Sequence, residues 1–205
     1  MNCEHAEGEH YYTGEPRSKP QLGLVRVHLR GRFYEFLTSS SVFSRTRIDL
    51  GTRLLIESMV LPKTGWALDL GCGYGPVGIV AASLNPALQV MMVDVNARAT
   101  RLTRANAKRH RLRNVEVRQG SLYEPVNAME FAVILCNPPV SAGAAKVHAI
   151  IAGALPHLSD AGSLQLVVRS TKGGARFANM LEDAFGNVAI LARQSGYRVL
   201  RSKKS

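Results

Sequence analysis

Asp69-Leu70-Gly71-Cys72-Gly73-Tyr74-Gly75-Pro76-Val77-Gly78 is the stretch on which the fold turns. The residues leading into it, Trp66–Leu70, read as a buried strand, and Gly75–Leu84 reads as a helix. Strand, glycine turn and helix in that order form a βα unit, in which glycines let the backbone turn tightly and approach a ligand where a Cβ would collide. Two parses compete. Gly73, Gly75 and Gly78 satisfy the G-x-G-x-x-G spacing of a dinucleotide site. Read instead as Asp-x-Gly-x-Gly-x-Gly, the motif starts with a carboxylate at the strand end. That suits a ligand with a cationic amine better than a pyrophosphate.

Working outward, strand and helix signals alternate. Gln89–Asp94 is a predicted strand and Ala97–His110 a helix; Val115–Gln119 and Glu130–Cys136 are strands. A helix follows around Ala144–Leu155, then a strand at Ser163–Arg169, a helix at Gly174–Phe185, and a closing strand pair, Val188–Ala192 with Tyr197–Arg201. Repeated βα units imply an α/β fold with a mainly parallel sheet and helices on both faces. Ligands of such sheets sit beyond the C-terminal strand ends, here Leu70, Asp94, Gln119 and Cys136. Upstream, Leu24–Arg30 and Phe33–Thr38 alternate around Gly31 as a β-hairpin. Asp49 caps a predicted helix running to about Val60, with Leu50, Leu54, Leu55 and Met59 on one face. The chain thus divides into a polar arm (1–20) with Gly14, Pro16 and Pro20, a hairpin and linker (21–48), and one α/β domain (49–205).

Three further turns carry candidate chemistry. Asp94 stands 23 residues after Gly71, where a carboxylate accepts hydrogen bonds from ribose hydroxyls; nicotinamide enzymes share this feature. Helix capping is the plainer role for both Asp69 and Asp94. Gly120-Ser121-Leu122-Tyr123 follows the third strand of the domain, where Ser121 can bond an adenine ring and Leu122 pack on it; an ordinary turn is the alternative. The fourth strand stops at Asn137-Pro138-Pro139-Val140, and two prolines cannot continue a central strand. They fix a rigid turn at the sheet's C-terminal edge. The Asn137 amide oxygen beside the Pro138 carbonyl supplies two acceptors that suit an exocyclic amine. Holding both N–H bonds draws the nitrogen lone pair out of conjugation, toward attack on a methyl carbon. Positioning and electrostatics, rather than a strong base, would carry such a reaction. S-adenosylmethionine, with an ammonium, a sulfonium and no phosphate, fits the Asp69 parse.

Composition bounds the partners. Of 205 residues 46% are hydrophobic, enough for one sizeable core. The net charge is +11, and four of the 15 acids are Glu4, Glu7, Glu9 and Glu15, so the remainder carries 26 basic against 11 acidic residues, a net +15. A body this basic favours a polyanion. Arg101, Arg104, Lys108 and Arg111 share one predicted helix face and are candidates to track RNA phosphates, a solvated face being the alternative. The three cysteines show no framework and no CxxC, and the histidines are scattered, so no metal site is expected. Cys136 could be read as a nucleophile, but its place on an apolar strand favours packing. No membrane span or secretory leader is read, and a cytoplasmic location is expected.

Taken together, the glycine loop and Asn137-Pro138-Pro139-Val140 resemble class I S-adenosylmethionine-dependent methyltransferases that modify amino groups. Nearly the whole chain resembles the methyltransferase small family, which includes small-subunit ribosomal RNA guanine-N2 enzymes and short archaeal and Bacillus relatives. His10-Tyr11-Tyr12-Thr13, Val42-Phe43-Ser44, Asp49-Leu50-Gly51-Thr52-Arg53-Leu54-Leu55 and Leu122-Tyr123-Glu124-Pro125 extend the likeness. The resemblance implies a Rossmann-like seven-stranded sheet with an antiparallel last strand and S-adenosylmethionine as cofactor. It implies cofactor binding by Asp69, Gly71, Gly73, Gly75 and Asp94, to which position adds Ser121 and Leu122, and a target amine held by Asn137, Pro138 and Pro139, with Asn137 bordering the cofactor as well. It also implies RNA, ribosomal first, as partner: guanine N2 is the leading target, with cytosine N4 second. Protein-glutamine or small-molecule N-methylation and a noncatalytic RNA-binding module are the rivals. Many amino methyltransferases place an aromatic residue after Asn-Pro-Pro to stack on the base. Here it is Val140, leaving Phe43, Tyr123, or Tyr11 and Tyr12 as candidates.

Overall fold

The computed structural model describes residues 22–39, 47–138, 143–171 and 173–205. Its centre is a seven-stranded sheet made of β3 (Gly65–Leu70), β4 (Leu88–Asp94), β5 (Val115–Gln119), β6 (Phe131–Cys136), β7 (Leu158–Arg169), β8 (Ala189–Gln194) and β9 (Tyr197–Lys203). The spatial order is β5-β4-β3-β6-β7-β9-β8. Neighbours from β5 to β7 pair in parallel, while β9 runs antiparallel between β7 and β8. This is the Rossmann-like sheet expected from the resemblance. The β8–β9 turn, Ser195-Gly196, has φ of 49° and 79°, the left-handed pair that matches strand twist in a two-residue hairpin.

Among the described residues five α-helices cover the two faces: α1 (Leu50–Ser58), α2 (Pro76–Leu84), α3 (Ala97–Arg109), α4 (Gly143–Ala154) and α5 (Gly174–Phe185). The alternation along each strand decides which layer a side chain joins. Ala67, Val90, Met92, Val133, Leu135, Val167 and Val199 pack with α1, α2 and α3. Leu68, Leu70, Met91, Val93, Ile134, Cys136, Leu166 and Leu200 pack with α4 and α5. Both faces are therefore dry, which is why the central strands read as continuous apolar runs.

Local chemistry sets the helix ends that matter here. Pro76 opens α2 at a position that needs no N–H donor. Asn96 caps α3, its Oδ1 accepting from the backbone of Arg98 and Ala99 at 2.9 and 3.2 Å. Lys108 and Arg109 sit in the last turn of α3, where cations favour the helix dipole. Asp49 Oδ2 accepts from the Thr52 backbone at 3.1 Å and caps α1.

The hairpin, β1 (Leu22–Leu29) and β2 (Arg32–Ser39), is a separate two-stranded sheet. Asn106 ties it to the body through both backbone groups of Leu37. Asn106 Oδ1 accepts from the Leu37 backbone at 2.7 Å, while Asn106 Nδ2 donates to Leu37 O and to Tyr74 O, both at 2.9 Å. The hairpin is thereby tied to the glycine turn through α3. Arg32 Nη1 also donates to Ser83 O at 2.8 Å and Arg30 Nη1 to Glu57 O at 2.8 Å.

Three expectations need correction. Leu50 is not on the buried face of α1; it is 52% exposed, and the inward residues are Gly51, Thr52, Leu54, Leu55 and Ile56. A Cβ on Gly51 would lie 3.1 Å from the Tyr197 ring, so the first inward position must be small and Leu50 turns out. Arg111 is not helical: α3 ends at Arg109, and Arg111 takes φ 54° in the turn toward β5. Strand β7 begins at Leu158, five residues earlier than expected, because Asp160-Ala161-Gly162 forms an irregularity inside the strand rather than ending it. The arm at 1–20 and the linker from 40 to 46 lie outside the described residues.

Candidate active site

The C-terminal ends of β3, β4 and β6 open onto one cavity, as the sheet topology dictates. Of the residues singled out in the sequence, Asp69, Gly71, Gly73, Asp94, Ser121, Leu122, Asn137 and Pro138 line it. Gly75 does not. It is buried at the start of α2 with φ 94°, and a Cβ there would stand 2.9 Å from Ile79 and 3.0 Å from Thr103. Its job is the turn itself. Pro139 falls outside the described residues.

Gly71 and Gly73 hold φ of 77° and 60°, and a Cβ on either would meet nothing within 4 Å. The backbone faces open space there, a cradle shaped for a ligand to come close. Asp94 is fixed over this turn: Oδ2 accepts from Gly73 N and Oδ1 from Asn96 N, each at 2.8 Å. Each oxygen keeps a lone pair for a hydroxyl donor. Asp69 Oδ2 accepts from Gly78 N at 2.8 Å, and a Cβ on Gly78 would lie 2.5 Å from Met92 Sδ. Gly78 therefore serves helix–sheet packing and holds Asp69, a role the last glycine has in a dinucleotide turn as well.

The electrostatics bear on the guest. Burial pushes the Asp69 carboxyl up to about 7, the Gly78 N–H opposing and nearby Asp94 adding to the rise. Burial also raises Asp94, against the Gly73 and Asn96 N–H groups and the Lys146 ammonium. Two desolvated acids at one cavity favour a cationic guest, since an opposite charge restores the ionised form. S-adenosylmethionine meets that demand with its ammonium and sulfonium, and the glycine cradle leaves room for it.

Asn137 is held from an unforeseen direction. Its Nδ2 donates to Asp49 Oδ2 at 3.1 Å and to Thr52 Oγ1 at 2.8 Å. A carboxylate only accepts, so the amide nitrogen must face α1, and its oxygen is left to accept from a guest. Asp49 carried a capping signal in sequence; its second role needs the tertiary fold. Lys146, which the sequence places on the helix after the Asn-Pro-Pro turn, lines the cavity as well.

Other candidates drop out. Burial drives the Cys136 thiol well above its ordinary range, and Cys72 likewise, so neither is poised as a thiolate. Tyr123 is 6% exposed, donates to Ile150 O at 2.8 Å and stacks on His157, so it cannot stack on a substrate base. Phe43, Tyr11, Tyr12 and Val140 lie outside the described residues. Arg101, Arg104 and Lys108 are exposed on the outer face of α3, away from the cavity that α3 meets through Ala99. Arg104 Nη2 donates to Val117 O at 2.8 Å. Among the described residues no group of His, Cys, Asp and Glu could hold a metal, and no helix is long and apolar enough to cross a membrane.

Known proteins resemble this chain in sequence and in fold. The uncharacterized protein YbxB of Bacillus subtilis is 38% identical over 198 residues, covering 96% of this chain and 98% of its own length. Ribosomal RNA small subunit methyltransferase C of Aeromonas hydrophila is 33% identical over 171 residues, covering 82% of this chain but 48% of its own. The chain thus spans about half the length of such methyltransferases. Among solved structures, a T. thermophilus 16S rRNA N2 methyltransferase in complex with AdoMet and guanosine superposes with a TM-score of 0.80 at 23% identity, covering 93% of this chain and 52% of that one. The methyltransferase small domain matches residues 33–201, and with it the chain belongs to that family of S-adenosylmethionine-dependent methyltransferases.

Proposed function

We propose that this protein methylates an exocyclic amino group of an RNA base, with guanine N2 of ribosomal RNA as the target. The observation that carries the reading is the orientation of Asn137: with Nδ2 bound by Asp49 and Thr52, its Oδ1 is an acceptor at the cavity. An amine bearing two N–H bonds meets that oxygen and the Pro138 carbonyl. When bound, S-adenosylmethionine supplies a methyl carbon made electrophilic by its sulfonium. Asp69 and Asp94 hold the cationic and hydroxyl groups of that cofactor, and Ser121 and Leu122 border the ring end. Asn137 and Pro138 pin the amine so that its lone pair points at the methyl carbon. On taking up that methyl carbon the amine would give its surplus proton to solvent, while Asn137 and Pro138 keep it oriented. The acceleration comes from orientation and fixed dipoles rather than a strong base.

The relatives that act on small-subunit ribosomal RNA support the substrate class, as does the net +15 outside the first 15 residues. The test is mass spectrometry of RNA nucleosides from cells lacking the protein, with add-back of purified enzyme and labelled S-adenosylmethionine. Loss of N2-methylguanosine, restored by the enzyme, is the expected result. Label in protein or a metabolite with an unchanged RNA profile would overturn the RNA assignment.

A further inference from the structure

A second cavity lies on the other side of Asn137, across the ends of β6, β7 and β9 and the starts of α4 and α5. Asn137 and Pro138 are the two described residues that line both cavities. The charges divide between them. The first holds Asp69, Asp94 and Lys146; the second holds Arg169 and Arg176 and, among the described residues, no acid. Its walls include Phe177 and Tyr197. Arg169 and Tyr197 are direct cross-strand partners on β7 and β9, and the Arg169 guanidinium sits 5.6 Å from the Tyr197 ring centroid. That contact steadies a flexible cation at the cavity mouth.

Resting on the reading above, we infer that this second cavity seats the nucleotide bearing the target amine, with Arg169 and Arg176 pairing its phosphate and Phe177 and Tyr197 packing against its base and ribose. An aromatic wall with guanidinium groups beside it is the chemistry that receives an unstacked nucleotide. It also supplies the aromatic contact that Val140 cannot. The placement is consistent with in-line transfer: cofactor on one side of Asn137, acceptor on the other, and the amine between. A cationic cofactor and an anionic acceptor are thereby sorted into cavities of opposite charge.

The experiment titrates guanosine 5′-monophosphate, guanosine and inorganic phosphate into the full chain saturated with S-adenosylhomocysteine. Wild type, an Arg169→Gln/Arg176→Gln variant and an Arg101→Gln/Arg104→Gln/Lys108→Gln variant are compared by calorimetry or NMR. Both arginines of the cavity are exposed, so folding is unaffected, and S-adenosylhomocysteine affinity serves as the control. The monophosphate is expected to bind wild type about fivefold or more tightly than guanosine. The R169Q/R176Q variant loses that preference, the α3 variant keeps it, and phosphate alone binds more weakly than the monophosphate. A preference that survives R169Q/R176Q, or disappears in the α3 variant, overturns the assignment, as does a wild type that does not distinguish nucleotide from nucleoside. If the preference behaves as stated while RNA nucleosides carry no label, the RNA reading fails and the nucleotide cavity stands.

Discussion

Asp49 Oδ2 lies 3.1 Å from both the Thr52 backbone nitrogen and Asn137 Nδ2, so one carboxylate oxygen starts helix α1 and sets the direction of the Asn137 amide. The two jobs can be separated. Serine also caps helices but is too short to reach Asn137. Asp49→Ser is expected to change stability by less than about 1 kcal/mol and to lower kcat about tenfold or more, with S-adenosylmethionine affinity unchanged. Asn137→Ala should lose about 10²–10³ in kcat. Wild-type turnover in both variants would show that the amide is not what holds the substrate.

The raised Asp69 carboxyl makes cofactor binding depend on pH. The folded apoprotein keeps this proton up to about 7, whereas an unfolded chain releases it in the ordinary carboxylate range. Apoprotein stability contributed by this group therefore falls as pH rises from about 4 through about 7. A bound cation favours the ionised form, so S-adenosylmethionine should bind more tightly as pH rises through 7, releasing a proton. Calorimetry in buffers of different ionisation enthalpy reads that proton. Asp69→Asn should flatten the profile.

Gly73 and Gly75 sit two residues apart and should fail differently. Gly73→Ala places a methyl in the open cradle and strains a positive φ, at a cost of about 1–2 kcal/mol. Its main effect should be loss of cofactor affinity, about tenfold or more. Gly75→Ala carries the same strain and adds the Ile79 and Thr103 collisions, so a depressed melting temperature should come first. Melting curves with and without cofactor distinguish the two.

Cys136 borders the cavity as a neutral thiol. Cys136→Ala should retain turnover within about threefold while losing about 1–2 kcal/mol of stability from the vacated volume. Abolished turnover in a folded variant would restore a nucleophilic mechanism.

The exposed face of α3 is expected to act through salt-dependent RNA affinity rather than chemistry. Replacing Arg101, Arg104 and Lys108 by Gln should reduce the slope of log affinity against log salt by up to about 2, at about 0.7 per phosphate contact on single strands. Single-turnover rates at saturating RNA should hold.

Much of this was legible from residue types alone. Asp69, the glycine turn and Asn137-Pro138 announce themselves because backbone turns, buried strands and rigid acceptors each need a narrow set of residues. What stayed hidden depends on who the neighbours are. Leu50 looked like part of an apolar face, and only the Tyr197 ring beside Gly51 explains why it turns out. Arg111 fitted a helical stripe, but helix ends are fixed by local hydrogen bonds, and the Leu112 N–H returns to Ala107 O instead. The Asp49–Asn137 pair spans 88 residues, a distance at which no periodicity carries information. The arginine-lined second cavity draws on five separate elements, and nothing local marks Arg169 and Arg176 as neighbours.

Asn106 gives the hairpin a meaning beyond covering a helix. A chain cut to begin at the α/β body would leave Asn106 with its Leu37 partner gone and the Tyr74 carbonyl less firmly held, and the glycine turn would loosen with it. The hairpin and the α/β body therefore behave as one unit, and a transplanted or fused piece keeps its glycine turn held only if both travel together.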